Sequence, residues 1–182
     1  MTAVTLALFE GAFASTLQTL EAIKSNRSSI FTEADLQSRL FMALFNMLEN
    51  HPEGARIGLH CEPRFFASPE NKKRGIYPDI CILDKSRCPL SDPQVSTKGY
   101  DISGSCIQIE IKLRRDNRGN ASPKRWIRDL EKLASFRENW SSIDRGEGND
   151  FFPIFAVYSR LPIISDEIEQ LRENSDRHKV WA

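Results

Sequence analysis

The chain has 182 residues, of which 40% are hydrophobic and 27% are charged, and its formal net charge at pH 7 is zero. These values are typical of one globular domain with a hydrophobic core. They exclude a chain-wide positive field, so any site for a polyanion must depend on a local excess of positive charge.

The cysteines, the histidines and the N-terminus indicate the cellular setting. The four cysteines form no C-x-x-C pair and the three histidines show no metal-ligand spacing. Reduced cysteines in a cytoplasmic protein are therefore the simpler interpretation, and a structural zinc site is not expected. Residues 1–15 are apolar, but they lack a basic segment and contain Glu10. We expect a helix there rather than a signal peptide, and no apolar run is long enough to span a membrane.

The first two predicted elements are helices. Apolar residues recur at helical spacing over about 4–24, at Phe9, Phe13, Leu17 and Leu20. A second helix is predicted over about 33–49, because Thr32 and Asp35 are spaced as a capping box and leucines then form one apolar stripe.

Three strands and a long loop come next. Residues 56–62 alternate between apolar and polar, and residues 76–84 are rich in β-branched side chains. Pro78 lies inside the second run, which favours an edge position or a bulge. Residues 85–104 contain scattered Pro, Ser, Gly and Asp and predict a loop. The third strand is predicted over 105–113.

The last elements complete an α/β pattern. Ser122 and Pro123 predict the N-terminus of a helix over about 123–139. Residues 151–159 are almost wholly apolar, so we expect a fourth strand buried on both faces, followed by an acidic helix over about 165–175. The order predicts a single domain, 1–182, in which helices flank a central mixed β-sheet.

Chemically active side chains fall on the second and third strands. Asp79 lies in the second, whereas Glu110 and Lys112 share one face of the third. If the two strands pair, these side chains can converge. Carboxylates are suitable ligands for Mg²⁺, and a nearby lysine can hold or help deprotonate an attacking water, or offset developing charge. These are the groups that phosphodiester hydrolysis requires.

Two short motifs carry a resemblance to a known family. "YPD" at 77–79 and "EIK" at 110–112 on the following strand resemble the signature of the PD-(D/E)xK nuclease superfamily. A second E-x-K, at 70–72, lies in a polar segment, but Pro78-Asp79 is the only Pro-Asp dipeptide in the chain. The resemblance extends to the element order over about 31–160. It implies a restriction-endonuclease-like fold with an αβββαβ core.

The same resemblance implies an activity and roles for individual residues. It implies a Mg²⁺- or Mn²⁺-dependent nuclease acting on DNA rather than RNA. Asp79 and Glu110 would be catalytic metal ligands, Glu33 on the helix before the sheet would be a further ligand, and Lys112 would assist the nucleophilic water. For Glu33 the residues alone offer another explanation, because the helix dipole favours an acidic residue in the first turn.

Other residues are candidates for substrate contact. Residues 112–128 contain seven basic residues and one acidic residue, a marked excess in a neutral chain. We expect phosphate contacts along this segment and the helix that follows it, from Arg114, Arg115, Lys124, Arg128 and Lys132. Gln108 shares a face with Glu110 and Lys112. It is a candidate for facing the substrate, although such a side chain also commonly satisfies a neighbouring backbone group.

Two other classes of function stay open. The fold can serve as a nucleic-acid-binding or protein-interaction module without turnover, and the Glu110–Lys112 pair could then be a surface ion pair of little energetic value. A small-molecule-binding α/β domain has less support, because the chain contains no Gly-rich phosphate loop. If the chain is a nuclease, a homodimer or a protein partner would supply its specificity.

Overall fold

The computed structural model describes residues 4–25, 32–63, 65–66, 75–84, 105–114, 125–134, 151–161 and 163–178. The helices are α1 (Leu6–Ser25), α2 (Glu33–Glu49), α3 (125–134) and α4 (Ser165–His178). The strands are β1 (Ile57–Cys61), β2 (Phe65–Phe66), β3 (Gly75–Ile76), β4 (Ile80–Asp84), β5 (Cys106–Arg114) and β6 (Phe151–Ser159). The predicted loop 85–104 and the predicted helix start at Ser122 and Pro123 lie outside the described residues.

The protein is an α/β structure with a four-stranded mixed sheet. The strand order is β1-β4-β5-β6, and the short strands β2 and β3 pair separately. β4 is antiparallel to both β1 and β5, whereas β5 and β6 are parallel. The predicted mixed sheet flanked by helices is therefore confirmed.

The two faces of the sheet are covered by different helices. On β5 the odd-numbered side chains, from Ile107 to Leu113, join the core formed with α1 and α2. On the opposite face, Phe155 of β6 packs against Trp126 and other apolar residues of α3. The prediction that the fourth strand is buried on both faces is confirmed, because Ile154 and Phe155 belong to different clusters. The even-numbered polar residues of β5 therefore lie on the α3 side.

The start of α2 is fixed by local hydrogen bonds. The hydroxyl of Thr32 accepts from the Asp35 N–H at 3.1 Å, and the Asp35 carboxylate accepts from the Thr32 N–H at 2.7 Å. This is the predicted capping box. Four leucines of α2 are buried, at positions 36, 40, 44 and 48. Because the cap and the apolar stripe fix where α2 begins and which face it buries, they place Glu33 beside β5.

The predicted second strand differs from the observed one at a point that matters for the site. Instead of one strand over 76–84, β3 ends at Ile76 and β4 begins at Ile80, so Pro78 and Asp79 precede β4. Proline has no N–H to donate to the ladder, which explains the interruption. The alternative of an edge position is wrong, because β4 lies between β1 and β5.

The apolar N-terminal segment forms α1, whose exposed positions include Leu17 at 47%. Leu17 therefore falls outside the buried stripe, although it belongs to the predicted pattern. The other three residues of that pattern follow the prediction: Phe9 is buried, and Phe13 and Leu20 pack against the core. Within the described ranges, no helix is both long enough and apolar enough to cross a lipid bilayer.

Candidate active site

Asp79 accepts hydrogen bonds from three parts of the fold. Its carbonyl oxygen accepts from Gln37 Nε2 of α2 at 2.7 Å and from the Glu62 N–H, just after β1, at 3.1 Å. Its carboxylate oxygen Oδ2 accepts from the Ile111 N–H of β5 at 2.5 Å. A side chain fixed in this way needs little further ordering before it can bind a ligand.

The register of the sheet brings Asp79 to Glu110. Ile80 of β4 is the partner of Ile109 of β5 in an antiparallel pair. Continuing this register by one residue places Asp79 opposite Glu110, at the point where β4 begins. Opposite residues of neighbouring strands lie within about 4.5–5.5 Å at their β-carbons, so the two carboxyl groups are neighbours.

Two carboxylates occupy the edge of β5 beyond the end of β4. β5 pairs with β4 only from Cys106 to Ile109, although it continues to Arg114. There the Ile111 N–H donates to Asp79, and the Leu113 N–H donates to Glu33 Oε2 at 3.2 Å. These contacts satisfy backbone donors that would otherwise lack a strand partner. They also draw Glu33 and Asp79 to the same stretch of β5.

Glu110 and Lys112 belong to a chain of alternating charges. Lys112 Nζ lies 2.6 Å from Glu110 Oε1 and 3.5 Å from Asp129 Oδ2 of α3. The other oxygen of Asp129 lies 2.7 Å from Lys132 Nζ. The first three side chains are 14–20% exposed, whereas Lys132 is 69% exposed. The chain therefore leads from the covered face of the sheet to the surface.

Burial and neighbouring charges shift the proton affinities of this group. Burial, together with the charge of Glu110, raises the pKa of Asp79 to about 7, against the opposing effects of the Ile111 N–H and Lys112. Burial also raises the pKa of Glu110 despite the contact with Lys112. For Lys112, burial lowers the pKa, but the surrounding carboxylates outweigh it and raise the pKa overall. Lys112 is therefore an ammonium ion at neutral pH.

The donor set suits a divalent cation of the Mg²⁺ type. Asp79 and Glu110 offer carboxylate oxygens, and each is made harder to ionise by burial, a penalty that a cation would offset. Among the described residues, no three His, Cys, Asp or Glu side chains are grouped to hold one metal ion. Mg²⁺ commonly takes one or two carboxylates and completes its shell with water and substrate oxygens. The two adjacent carboxylates fit that pattern.

The other residues predicted to contact the substrate differ in their exposure and in their partners. Gln108 is 0% exposed, so it does not reach the protein surface. Arg114 lies 2.6 Å from Glu167 of α4, with its guanidinium 5.8 Å from the Trp126 ring centroid. Arg128 and Lys132 of α3 are exposed, as a phosphate contact requires. Arg115 and Lys124 lie outside the described residues.

Asp129 is the residue of this site that the sequence analysis missed. It contacts Lys112 from a separate helix and affects the pKa of both Glu110 and Lys112. A sequence signal did exist, because Asp129 is an acidic residue next to Arg128 in a strongly basic region.

No protein-family model, no curated protein and no solved structure matches the chain.

Proposed function

We propose that the chain is a metal-dependent nuclease of the PD-(D/E)xK type, with a restriction-endonuclease-like fold and a cytoplasmic location. Its substrate is DNA rather than RNA. One observation carries the proposal: the Asp79 carboxylate accepts the N–H of Ile111, next to Glu110 in β5, and Lys112 contacts Glu110 at 2.6 Å. Two carboxylates and a lysine thus meet at one point of a rigid sheet, as hydrolysis of a phosphodiester requires.

In this reaction a water oxygen forms a bond to phosphorus, the bond from phosphorus to one ester oxygen breaks, and the water gives up a proton. The departing oxygen gains a proton from the solvent. Mg²⁺ or Mn²⁺ held by Asp79 and Glu110 would supply charge neutralisation and a more acidic water. Glu33, whose carboxylate accepts the Leu113 N–H, would add negative charge near the ion without completing a three-carboxylate group.

Lys112 has a defined part in this chemistry. Without metal, the surrounding carboxylates raise the pKa of Lys112 and favour its ammonium form. As an ammonium ion it donates hydrogen bonds, so it holds the attacking water or stabilises the charge that develops on the phosphate oxygens.

The exposed basic residues of α3 extend the site toward a nucleic-acid backbone. Arg128 and Lys132 lie on the helix that also carries Asp129. Lysine and arginine contacts to phosphates provide affinity and register without reading the sequence. We infer that Arg115 and Lys124 also contact phosphates, and that a homodimer or a protein partner supplies specificity.

A second candidate function has an observation in its favour. The carboxylates of Asp79 and Glu33 each accept a backbone N–H of β5, which gives both a structural task. A nucleic-acid-binding or protein-interaction module without turnover could keep them for that reason. The pair between Glu110 and Lys112 favours the enzyme, because burying two charges is costly and a module gains little from it.

Purified protein incubated with plasmid, linear duplex, single-stranded DNA and RNA tests the proposal. Each reaction contains Mg²⁺, Mn²⁺ or EDTA, and an Asp79→Ala variant serves as a control. We expect DNA cleavage that requires the metal and is lost in the variant. Metal-independent binding with no cleavage of any substrate would support the module instead.

A further inference from the structure

The ammonium of Lys112 lies between carboxylates from two different elements. Glu110 approaches it from β5 at 2.6 Å, and Asp129 approaches it from α3 at 3.5 Å. The two partners differ in what else they do. In the proposed nuclease Glu110 is a metal ligand, whereas Asp129 has Lys132 as its other partner.

One carboxylate oxygen cannot give its full charge to a lysine and to a metal ion at once. The oxygen of Glu110 nearest to Lys112 is Oε1, at 2.6 Å. A divalent cation bound by Glu110 would draw this carboxylate away from Lys112 and repel the ammonium. Without another anion beside it, Lys112 would turn toward solvent, because its flexible side chain loses entropy when it is held in place.

Asp129 has the geometry of that second anion. Its side chain is 14% exposed, and its two oxygens serve different lysines: Oδ2 faces Lys112 at 3.5 Å, and Oδ1 faces Lys132 at 2.7 Å. The pair between Asp129 and Lys132, at i,i+3 spacing, would contribute little if both side chains were exposed. Asp129 is mostly covered, however, and its contact with Lys112 joins α3 to β5 of the sheet.

We propose that Asp129 is the positioning residue for Lys112: it holds the ammonium at the reacting phosphate while Glu110 binds the metal ion. This inference rests on the proposed nuclease function and deepens it. Asp129 itself touches neither the metal nor the substrate. Its removal therefore affects the rate of the chemical step and leaves substrate binding in place.

The first test needs neither metal nor activity. Lysine ammonium protons exchange slowly enough for a ¹⁵N NMR signal when the group is held by an anion, so the Lys112 signal reports its restraint. We expect the signal to persist in Glu110→Gln and to disappear in Glu110→Gln/Asp129→Asn. Loss of the signal in Glu110→Gln alone would overturn the inference, because Asp129 would then fail to hold Lys112 by itself.

The second test is kinetic. We expect Asp129→Asn to lower kcat about 10–100-fold, the range seen when a residue supporting a metal-site group is removed, with KM unchanged. Glu131→Gln is the matched control, because it removes one carboxylate from the exposed side of the same helix and should leave kcat and KM unchanged. Thermal unfolding of both variants checks that α3 stays folded.

The outcomes separate the two proposals. If the wild-type protein cleaves DNA and Lys112→Ala does not, but Asp129→Asn keeps the full kcat, the positioning role is overturned and the nuclease stands. A KM effect equal to the kcat effect would also overturn it, since Asp129 would then contribute to binding. If the wild-type protein shows no metal-dependent cleavage, both proposals fail, whatever the NMR result.

Discussion

Asp79 stands opposite Glu110 when the antiparallel register of β4 and β5 is continued by one residue beyond Ile80 and Ile109. Asp79 reaches this position because β4 starts one residue after it, and its carboxylate then accepts the Ile111 N–H. The last paired residues of β4 and β5 and the hydrogen bond from the Ile111 N–H together fix this position. This position also explains why the charge of Glu110, after burial, raises the pKa of Asp79.

Glu33 combines a structural contact with a charge near the metal site. Glu33→Gln keeps a side-chain oxygen to accept the Leu113 N–H but removes the negative charge. We expect the Mg²⁺ concentration for half-maximal cleavage to rise about 10-fold, with a maximal rate near that of the wild type. Titration of Mg²⁺ at fixed DNA measures this. An unchanged Mg²⁺ requirement would mean that Glu33 serves only as a partner for the β5 backbone.

The raised pKa of Asp79 predicts how stability depends on pH without metal. The pKa rises from the ordinary value of 3.8 to about 7 on folding, so the folded chain holds this proton more tightly than the unfolded chain does. The resulting stability is fully present below about pH 4 and is lost as the pH rises to about 7. Other groups titrate in the same range, so the comparison with a variant isolates Asp79.

Thermal unfolding of the wild type and Asp79→Asn, in EDTA from pH 4 to pH 8, measures this contribution. The Asn oxygen can still accept the Ile111 N–H, but it does not titrate. We expect the Tm of the variant, relative to that of the wild type, to rise as the pH increases. A constant difference in Tm across the range would show that the pKa of Asp79 is close to its ordinary value in the folded chain.

The ion pair between Arg114 and Glu167 predicts a stabilising role for Arg114. Both side chains are 12% exposed, and the pair joins β5 to α4 at 2.6 Å. Arg114→Met should lower the free energy of unfolding by about 1–3 kcal/mol, because it leaves the Glu167 carboxylate without this partner. Binding of a DNA duplex in EDTA should change little. Arg128→Met is the comparison, since Arg128 is exposed on α3 and should weaken DNA binding without loss of stability.

A large loss of DNA affinity in Arg114→Met, with stability unchanged, would show that Arg114 contacts DNA phosphates. That result would contradict its structural role.

The buried amide of Gln108 leads us to expect that an apolar residue at this position stabilises the fold. Its side chain is completely buried, and neither its amide nitrogen nor its amide oxygen has a hydrogen-bond partner in the described part of the chain. Each buried polar group left without a partner costs about 1–3 kcal/mol. Gln108→Met keeps a similar shape and should raise the Tm. A fall in Tm of several degrees would show that the amide makes a hydrogen bond after all, for example to a buried water.

Local features of the fold were predictable because their causes are local. The capping box of Thr32 and Asp35 needs only residues three positions apart, and the structure contains both of its hydrogen bonds. The alternation of β5 likewise places Glu110 and Lys112 on one face whatever surrounds the strand. The convergence of Asp79 on this pair needed only the pairing of two strands adjacent in the sheet.

Contacts between distant segments were not predictable in the same way. Glu33 and Leu113 are 80 residues apart, and Arg114 and Glu167 are 53 residues apart. Sequence periodicity says which face of a strand is polar, but not which helix covers that face. For this reason Asp129 was missed, Gln108 was considered for a surface it does not reach, and Arg114 was assigned to DNA although it pairs with α4.

The most direct measurement is the initial rate of Mg²⁺-dependent DNA cleavage by the wild-type protein and by Lys112→Ala at equal concentration. In the described part of the chain, Lys112 forms ion pairs with Glu110 and Asp129. Unfolding curves verify that the variant keeps its fold. We predict metal-dependent cleavage by the wild type and a rate at least about 100-fold lower for a folded variant. Equal rates, or no cleavage by the wild type, would contradict the assignment of Asp79, Glu110 and Lys112 as a nuclease site.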